Sequence, residues 1–390
     1  MAVSTHIVRD LQVALKEALV DLDENEIIIS GILDGNTLYY LAWILATIRD
    51  TIYDLSDTSN ESKSCIKIIN EVEEKITRDA NYKIENKHKP LLRKAIIDIL
   101  REGYKDLNFN NNVVGFPDNF VYYKNKGETK VVKSIDKTGA EEFDDMWLSG
   151  VINIVEIYVA IQLCGGRANY NNFIGKDIIF QGEPYTNPIK SSELVTKYAG
   201  FKHPIYGTIT LKGPSQLSAF TFNSLGCDFW EQSYARTEND GADAIIRRGE
   251  AQIHSQCVEN YKLALKTVFM HYAELRNFFP DDLTYTDVIK KIAPGLYRQN
   301  GIAREVCSKV NSFHMWCLAI DMDAERNAEN WSKPYARLSQ PIYNAYIRIM
   351  SYYGFKSLGV HENWDWMHFQ FSIWNEPAKN QSNDAPNQPS

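Results

Sequence analysis

The sequence has few cysteines, and none of them form a CxxC pair. Six cysteines are spread over 390 residues, so neither a four-cysteine zinc site nor a disulfide framework is expected. Lysine and arginine number 42 against 50 aspartates and glutamates, which gives a net charge of −8 without a dominant basic block. Because phosphate binding needs clustered basic residues, nucleic acid is not expected as a partner.

No apolar run has the features expected of a secretory signal or a membrane helix. The first thirty residues mix charged and apolar side chains, with Arg9 and Lys16 among the charged ones, whereas a secretory signal needs an apolar stretch of roughly 7–15 residues. The richest apolar window, 38–48, is shorter than the roughly 18 residues of a membrane helix. We therefore expect a protein made in the cytoplasm, without a signal peptide or a membrane segment.

The composition is that of a folded protein, with 44% hydrophobic residues. The length favours two or three domains, and the patterns along the chain predict an α+β protein. Residues 1–104 are predicted to be helical, 105–240 to be a mixed region of unknown role, and 241–373 to form a small antiparallel sheet with helices. The Asn/Pro/Ser-rich tail, 374–390, is predicted to be disordered.

Two helices are predicted near the N-terminus. Apolar residues recur at steps of three or four on one face of the first: Val8, Leu11, Leu15, Leu19 and Leu22. Gly31 and Gly35 bracket a tight turn, and Thr37 is placed to cap a second helix over 38–48. Residues 3–50 resemble the peptidoglycan-binding repeat of wall hydrolases, and an ordinary helical hairpin is the alternative.

Further elements follow from periodicity. Apolar steps of three or four predict helices over 243–279 and 341–353, and the apolar run 147–163 predicts a buried helix. Short Val/Tyr runs within 105–140 indicate an irregular or a hairpin-like segment, and Ile178–Phe180 is predicted to be a strand.

The chemistry lies in two segments near the C-terminus, which carry His314, Asp321 and His368. Two imidazoles and a carboxylate suit catalytic zinc, which uses three protein ligands and leaves a fourth position open to water. Asp365, three residues before His368, can act as the base for that water. This set predicts a zinc-dependent hydrolytic site.

Both segments also alternate with a period of two, which is typical of strands. Asp321 alternates with the apolar Ile320, and His368 alternates with Phe369. We therefore expect a sheet with one apolar face and one face that carries ligands.

These segments resemble the LAS metallopeptidases: D-alanyl-D-alanine carboxypeptidases and dipeptidases of the VanY type, and phage L-alanyl-D-glutamate endopeptidases. The family pattern Ser-x-His-x-x-Gly-x-Ala-x-Asp is matched at Ser312, His314, Ala319 and Asp321. The second part of the pattern, a Gly-Phe and then Asp/Glu-x-x-His, is matched at Gly354, Phe355, Asp365 and His368. Cys317 stands where the family has glycine.

The resemblance implies a Zn²⁺ enzyme in which His314, Asp321 and His368 bind the metal, Asp365 is the catalytic base and Arg304 steadies the substrate. It also implies cleavage of the stem peptide of bacterial peptidoglycan, by a phage endolysin or a virion-associated wall hydrolase. Which bond is cut, and whether the action is endo or exo, stay open. The alternative is a non-catalytic structural or wall-binding phage protein with a peptidase-like domain.

Overall fold

The protein combines helices with small antiparallel sheets, so the predicted α+β class is confirmed. The computed structural model describes residues 3–19, 27–53, 89–90, 92–93, 95–96, 99, 122–125, 128–131, 144–185, 217–221, 250–254, 257–279, 282–297, 299–300, 313, 318–331, 335–362 and 364–371. The chain forms two compact units: an N-terminal unit, Met1–Gln162 with Pro334–Arg337, and a C-terminal unit, Leu163–Lys333 with Leu338–Ser390. The domain boundaries predicted after residues 104, 240 and 373, and the tail 374–390, lie outside the described residues.

The N-terminal unit begins with the two predicted helices, α1 (Thr5–Ala18) and α2 (Gly35–Tyr53). The predicted face of α1 is buried as far as Leu19, and Leu22 lies outside the described residues. The loop between the helices is tied to α1 by the buried side chain of Gln12, which accepts from the backbone N–H of Gly31 and donates to the carbonyl of Ile32.

Two residues shape this connection. Gly31 has a φ of +75°, and a Cβ there would lie 2.3 Å from the Thr5 side chain, so no larger residue fits. The cap of α2 is Asp34, whose Oδ1 accepts from the backbone N–H and the hydroxyl of Thr37, both at 2.8 Å. The prediction that Thr37 caps α2 is therefore wrong, because the helix begins earlier, at Gly35, and aspartate is the stronger capping residue.

Helix α3 (Asp145–Leu163) is the predicted buried helix, and most of its residues are buried. By length and composition alone it could cross a membrane, so the expectation that no segment is long and apolar enough is wrong. Most of its apolar stretch is buried inside the fold, as in the core helix of a soluble protein. A two-stranded hairpin, β1 (Tyr122–Asn125) with β2 (Glu128–Val131), confirms the hairpin-like alternative.

A buried ion cluster joins three distant parts of the N-terminal unit. The guanidinium of Arg337 donates to Glu156 of α3 at 2.8 Å and to Asp10 of α1 at 2.9 Å. All three side chains are almost completely buried. One cation thus serves two carboxylates in the core of this unit.

The described helices of the C-terminal unit are α4 (Arg167–Ile174), α5 (Val258–Ala273) with a 3-10 turn (Glu274–Phe278), α6 (Tyr285–Ile292), α7 (Pro294–Tyr297), α8 (Asn344–Tyr352) and α9 (Leu358–Glu362). Helix α8, preceded by a 3-10 turn (Pro341–Tyr343), confirms the helix predicted over 341–353.

Two local predictions in this unit are wrong. Ile253 belongs to a strand, β4 (Glu250–His254), which pairs with β3 (Leu217–Thr221), so the predicted helix starts only at Val258. Pairing with a distant strand overrides the local helical spacing there. Ile178–Phe180 forms no strand; the Phe180 ring stacks on the Tyr352 ring at 3.8 Å instead.

The central sheet of the C-terminal unit has four antiparallel strands in the order β5 (Gln299–Asn300), β6 (Ala319–Met322), β8 (His368–Phe371) and β7 (Phe355–Ser357). Strands β6 and β8 are buried along their whole length.

Candidate functional site

Asp321 and His368 meet on the central sheet. They are direct partners in the antiparallel register of β6 and β8, so their side chains leave the same face of the sheet. Ile320 and Phe369, which are also partners, point to the opposite face. The predicted division into an apolar face and a face that carries Asp321 and His368 is confirmed.

The His368 ring lies between two oxygen atoms. Its Nδ1 is 3.3 Å from Oδ1 of Asp321, and its Nε2 is 3.2 Å from Oε1 of Gln370. Burial acts to lower the pKa of the imidazole, but the hydrogen bond to Asp321 and the charges of Asp321 and Asp365 outweigh it, so the pKa of His368 is raised.

Asp365 occupies a tight turn that leads into β8. Its backbone N–H donates to the carbonyl of Glu329 at 2.9 Å, and its own carbonyl accepts from the backbone N–H of His368 at 3.0 Å. Asp365 has a φ of +54° and a buried side chain. This left-handed conformation is uncommon outside glycine, and aspartate and asparagine tolerate it best. The turn holds the carboxylate close enough to influence the pKa of His368.

The Gly-Phe pair of the motif supports β8 from the other side. Gly354 ends α8 with a φ of +96°, and a Cβ there would lie 2.8 Å from the Phe371 ring. Phe355 follows on β7 and pairs with Phe371 in the register of the sheet. The glycine therefore lets β7 start directly beside the strand that carries His368.

The first motif is only partly described. Asp321 and Ala319 lie on β6, whereas His314 and Cys317 lie outside the described residues. Ser312 and Arg304 lie outside them as well. Phe313, next to His314, is described, and its carbonyl accepts from the backbone N–H of Leu318, one residue before β6.

The separation of Asp321 and His368 fits a shared zinc ion. Two ligand atoms at about 2.0–2.1 Å from a tetrahedral zinc lie about 3.3 Å apart, and the measured distance from Oδ1 to Nδ1 is 3.3 Å. Within the described part of the chain, no three His, Cys, Asp or Glu side chains gather as a metal-binding group. Asp321 and His368 thus offer two donor atoms whose type and spacing would suit a zinc ion.

Three tryptophans and a tyrosine that lie between or within the two motifs in sequence are mostly part of the core. Trp331 and Trp366 of the C-terminal unit and Tyr335 of the N-terminal unit are buried, and only Trp364 is partly exposed.

The contact of Gln370 with the His368 ring was not predicted from the sequence. The period-two alternation puts Gln370 on the face of His368, and that was the available signal.

Comparisons with known proteins found no relative of this chain. No protein-family model matches the chain, and no curated protein or solved structure is significantly similar to it.

Proposed function

We propose that this protein is a zinc-dependent peptidase that cleaves the stem peptide of bacterial peptidoglycan, as a phage endolysin or a virion-associated wall hydrolase. The observation that carries the proposal is the pairing of Asp321 with His368 across β6 and β8 at zinc-ligand spacing. The turn that brings Asp365 next to this pair supports it further.

Each residue has a distinct role in the proposed reaction. Asp321 and His368 would hold the metal together with His314, a donor set that suits catalytic zinc. The chemistry supplied by zinc at such a site would be a polarised carbonyl and a water molecule whose pKa falls to about 7. Asp365 accepts the proton of the attacking water and returns it to the leaving amine. Arg304 would steady the substrate, a role that rests on the family resemblance alone.

The substrate class rests on resemblance at both ends of the chain. The LAS-like segments suggest the stem peptide, and the pair α1 and α2 with its Gly31 turn is the part that resembles a wall-binding repeat. A wall-binding repeat would keep a hydrolase on its insoluble substrate by raising the effective concentration of peptide near the site.

The test combines metal analysis with digestion of purified peptidoglycan by the full chain. We expect about one zinc per chain, loss of zinc and of fragment release in His368→Ala, and retention of both in His361→Ala. The latter removes an exposed histidine from the same region and is the matched control. Mass analysis of the fragments identifies the bond cut. A wild-type protein without zinc or hydrolysis would instead support the non-catalytic structural role.

A further inference from the structure

Among the described residues, the His368 ring contacts two oxygen atoms of different kinds. The Asp321 carboxylate faces Nδ1 at 3.3 Å, and the Gln370 amide oxygen faces Nε2 at 3.2 Å. The carboxylate belongs to the predicted ligand set. The amide oxygen does not, and no role follows for it from the motif.

We infer that Gln370 is a positioning residue: its amide oxygen accepts a hydrogen bond from Nε2–H of His368 and holds the ring with Nδ1 toward Asp321, on the side where a metal would bind. This inference rests on the proposed zinc site. A neutral imidazole carries one N–H, and a metal-ligating histidine commonly donates its other N–H to an acceptor that fixes the tautomer and the ring orientation. The amide oxygen of Gln370 is such an acceptor.

The sheet explains why Gln370 reaches the ring. His368 and Gln370 are two residues apart on β8, so they share a face. The residue opposite Gln370 on β6 is Ala319, whose small side chain leaves room on that face. Gln370 is almost completely buried, and a buried amide is held in place by its hydrogen bonds.

Metal binding would change the contact of only one of the two ring nitrogens of His368. Without a metal, Nδ1–H of His368 donates to the Asp321 carboxylate, and this proton would leave to solvent if Nδ1 served as a metal ligand. The N–H bond at Nε2 and its hydrogen bond to Gln370 stay intact. If the Gln370 amide were turned by 180°, its NH₂ group would donate to Nε2. The proton of the neutral ring would then be held on Nδ1.

The experiment uses the full chain labelled with ¹⁵N-histidine, with the His368 signals assigned by their absence in His368→Ala. In the zinc-loaded protein we expect a protonated Nε2 and a metal-bound Nδ1. In Gln370→Leu, which removes the acceptor at Nε2, we expect a shift of the neutral metal-free ring toward the Nδ1–H tautomer, whose proton Asp321 accepts, and a zinc Kd higher by about 10- to 100-fold. Gln370→Glu keeps an acceptor oxygen and should stay near the wild type in both measurements.

Gln340→Leu is the matched control, since it removes another buried glutamine amide of the C-terminal unit. Its zinc Kd and His368 signals should not change. The inference is overturned if Gln370→Leu keeps the wild-type zinc Kd and tautomer, or if the zinc-loaded wild type carries its proton on Nδ1. A wild type that binds no zinc contradicts the proposed function instead, and the metal-free spectra still test the hydrogen bond from Nε2 to Gln370.

Discussion

Asp321 and His368 are held opposite each other by the backbone pairing of two buried strands, with Oδ1 and Nδ1 3.3 Å apart. This distance suits a hydrogen bond as well as two ligands of one zinc ion. The pair can therefore keep the same positions with a proton or with a metal between the two atoms. Such preorganisation means that binding requires little movement of the sheet.

Asp365 is predicted to serve the reaction and not the metal. Asp365→Asn keeps a side chain that tolerates the φ of +54° but cannot accept the proton of the attacking water. We expect hydrolysis to fall by about 10²- to 10⁴-fold while zinc content stays at the wild-type level. Peptidoglycan digestion and metal analysis of the same sample check this.

The same chemical change at the exposed Asp282 is the control for Asp365→Asn, and it should leave both measurements unchanged. Wild-type hydrolysis in Asp365→Asn would remove the role of base from this residue. Loss of zinc together with activity would make Asp365 part of the metal site.

Short-range patterns predicted the parts of the site that depend on neighbouring residues. The alternation around Asp321 and His368 gave the strands and their common face, because the side-chain period of a strand is visible in a few residues. The spacing of apolar residues likewise gave α8, the helix before Gly354. Even the error at the start of α2 is small, since Asp34 and Thr37 both belong to its first turn.

Contacts between distant segments could not be predicted in this way. The pairing of β4 with β3 overrides a helical pattern at Ile253, and nothing near Ile253 in sequence signals its partner strand. Arg337 is 327 residues from Asp10, so neither residue identifies the other. His368 and Gln370 are only two residues apart, and they are hydrogen-bonded. The alternation of the strand predicts that they share a face, but it does not predict what Gln370 does there.

Gly354 is predicted to be required for the placement of β8. In Gly354→Ala the left-handed backbone costs about 1–2 kcal/mol, and the new Cβ would meet the Phe371 ring at 2.8 Å. Gly182→Ala is a matched control, because Gly182 also has a positive φ, +84°, but nothing lies within 4 Å of a Cβ there. Urea unfolding should show a larger loss of stability for Gly354→Ala. Equal losses would mean that the contact with Phe371 has no energetic weight.

The ion cluster of the N-terminal unit is predicted to depend on Arg337. Arg337→Met leaves the carboxylates of Asp10 and Glu156 buried without that cation, and breaking a buried ion pair in this way costs about 3–5 kcal/mol. Combining Arg337→Met with Asp10→Asn and Glu156→Gln removes the buried charge and should recover part of the loss. Thermal unfolding of the single and triple variants measures this. A triple variant no more stable than Arg337→Met would show that lost packing of Arg337 is the cause.

Two buried tyrosines of the C-terminal unit should respond differently to loss of the hydroxyl. The Tyr272 hydroxyl donates to the carbonyl of Ile342 and accepts from the backbone N–H of Tyr346, so Tyr272→Phe should cost about 1–3 kcal/mol. The Tyr346 hydroxyl has no hydrogen-bond partner among the described residues, so Tyr346→Phe should be neutral or stabilising. Denaturant unfolding of both variants measures this difference. Equal losses in the free energy of unfolding would contradict the prediction.

His271 should make the C-terminal unit less stable in mild acid. Burial, together with the charges of Lys176 and Arg348, lowers the pKa of His271 from 6.5 to about 4. The unfolded chain therefore takes up this proton at a higher pH than the folded protein does. The stability that comes from keeping His271 neutral is complete above pH 6.5 and is lost as the pH falls toward 4, by about 3 kcal/mol in total.

His271→Phe removes this titration and keeps an aromatic ring beside Phe173, whose centroid is 5.3 Å from the imidazole. The free energy of unfolding, measured with urea at pH 7.5 and at pH 4.5, should fall less in His271→Phe than in the wild type, by about 2–3 kcal/mol. Taking the difference between the two proteins cancels the titration of every other group they share. Equal falls in both would mean that His271 keeps an ordinary pKa in the folded protein, and that neither its burial nor the two cations act on it.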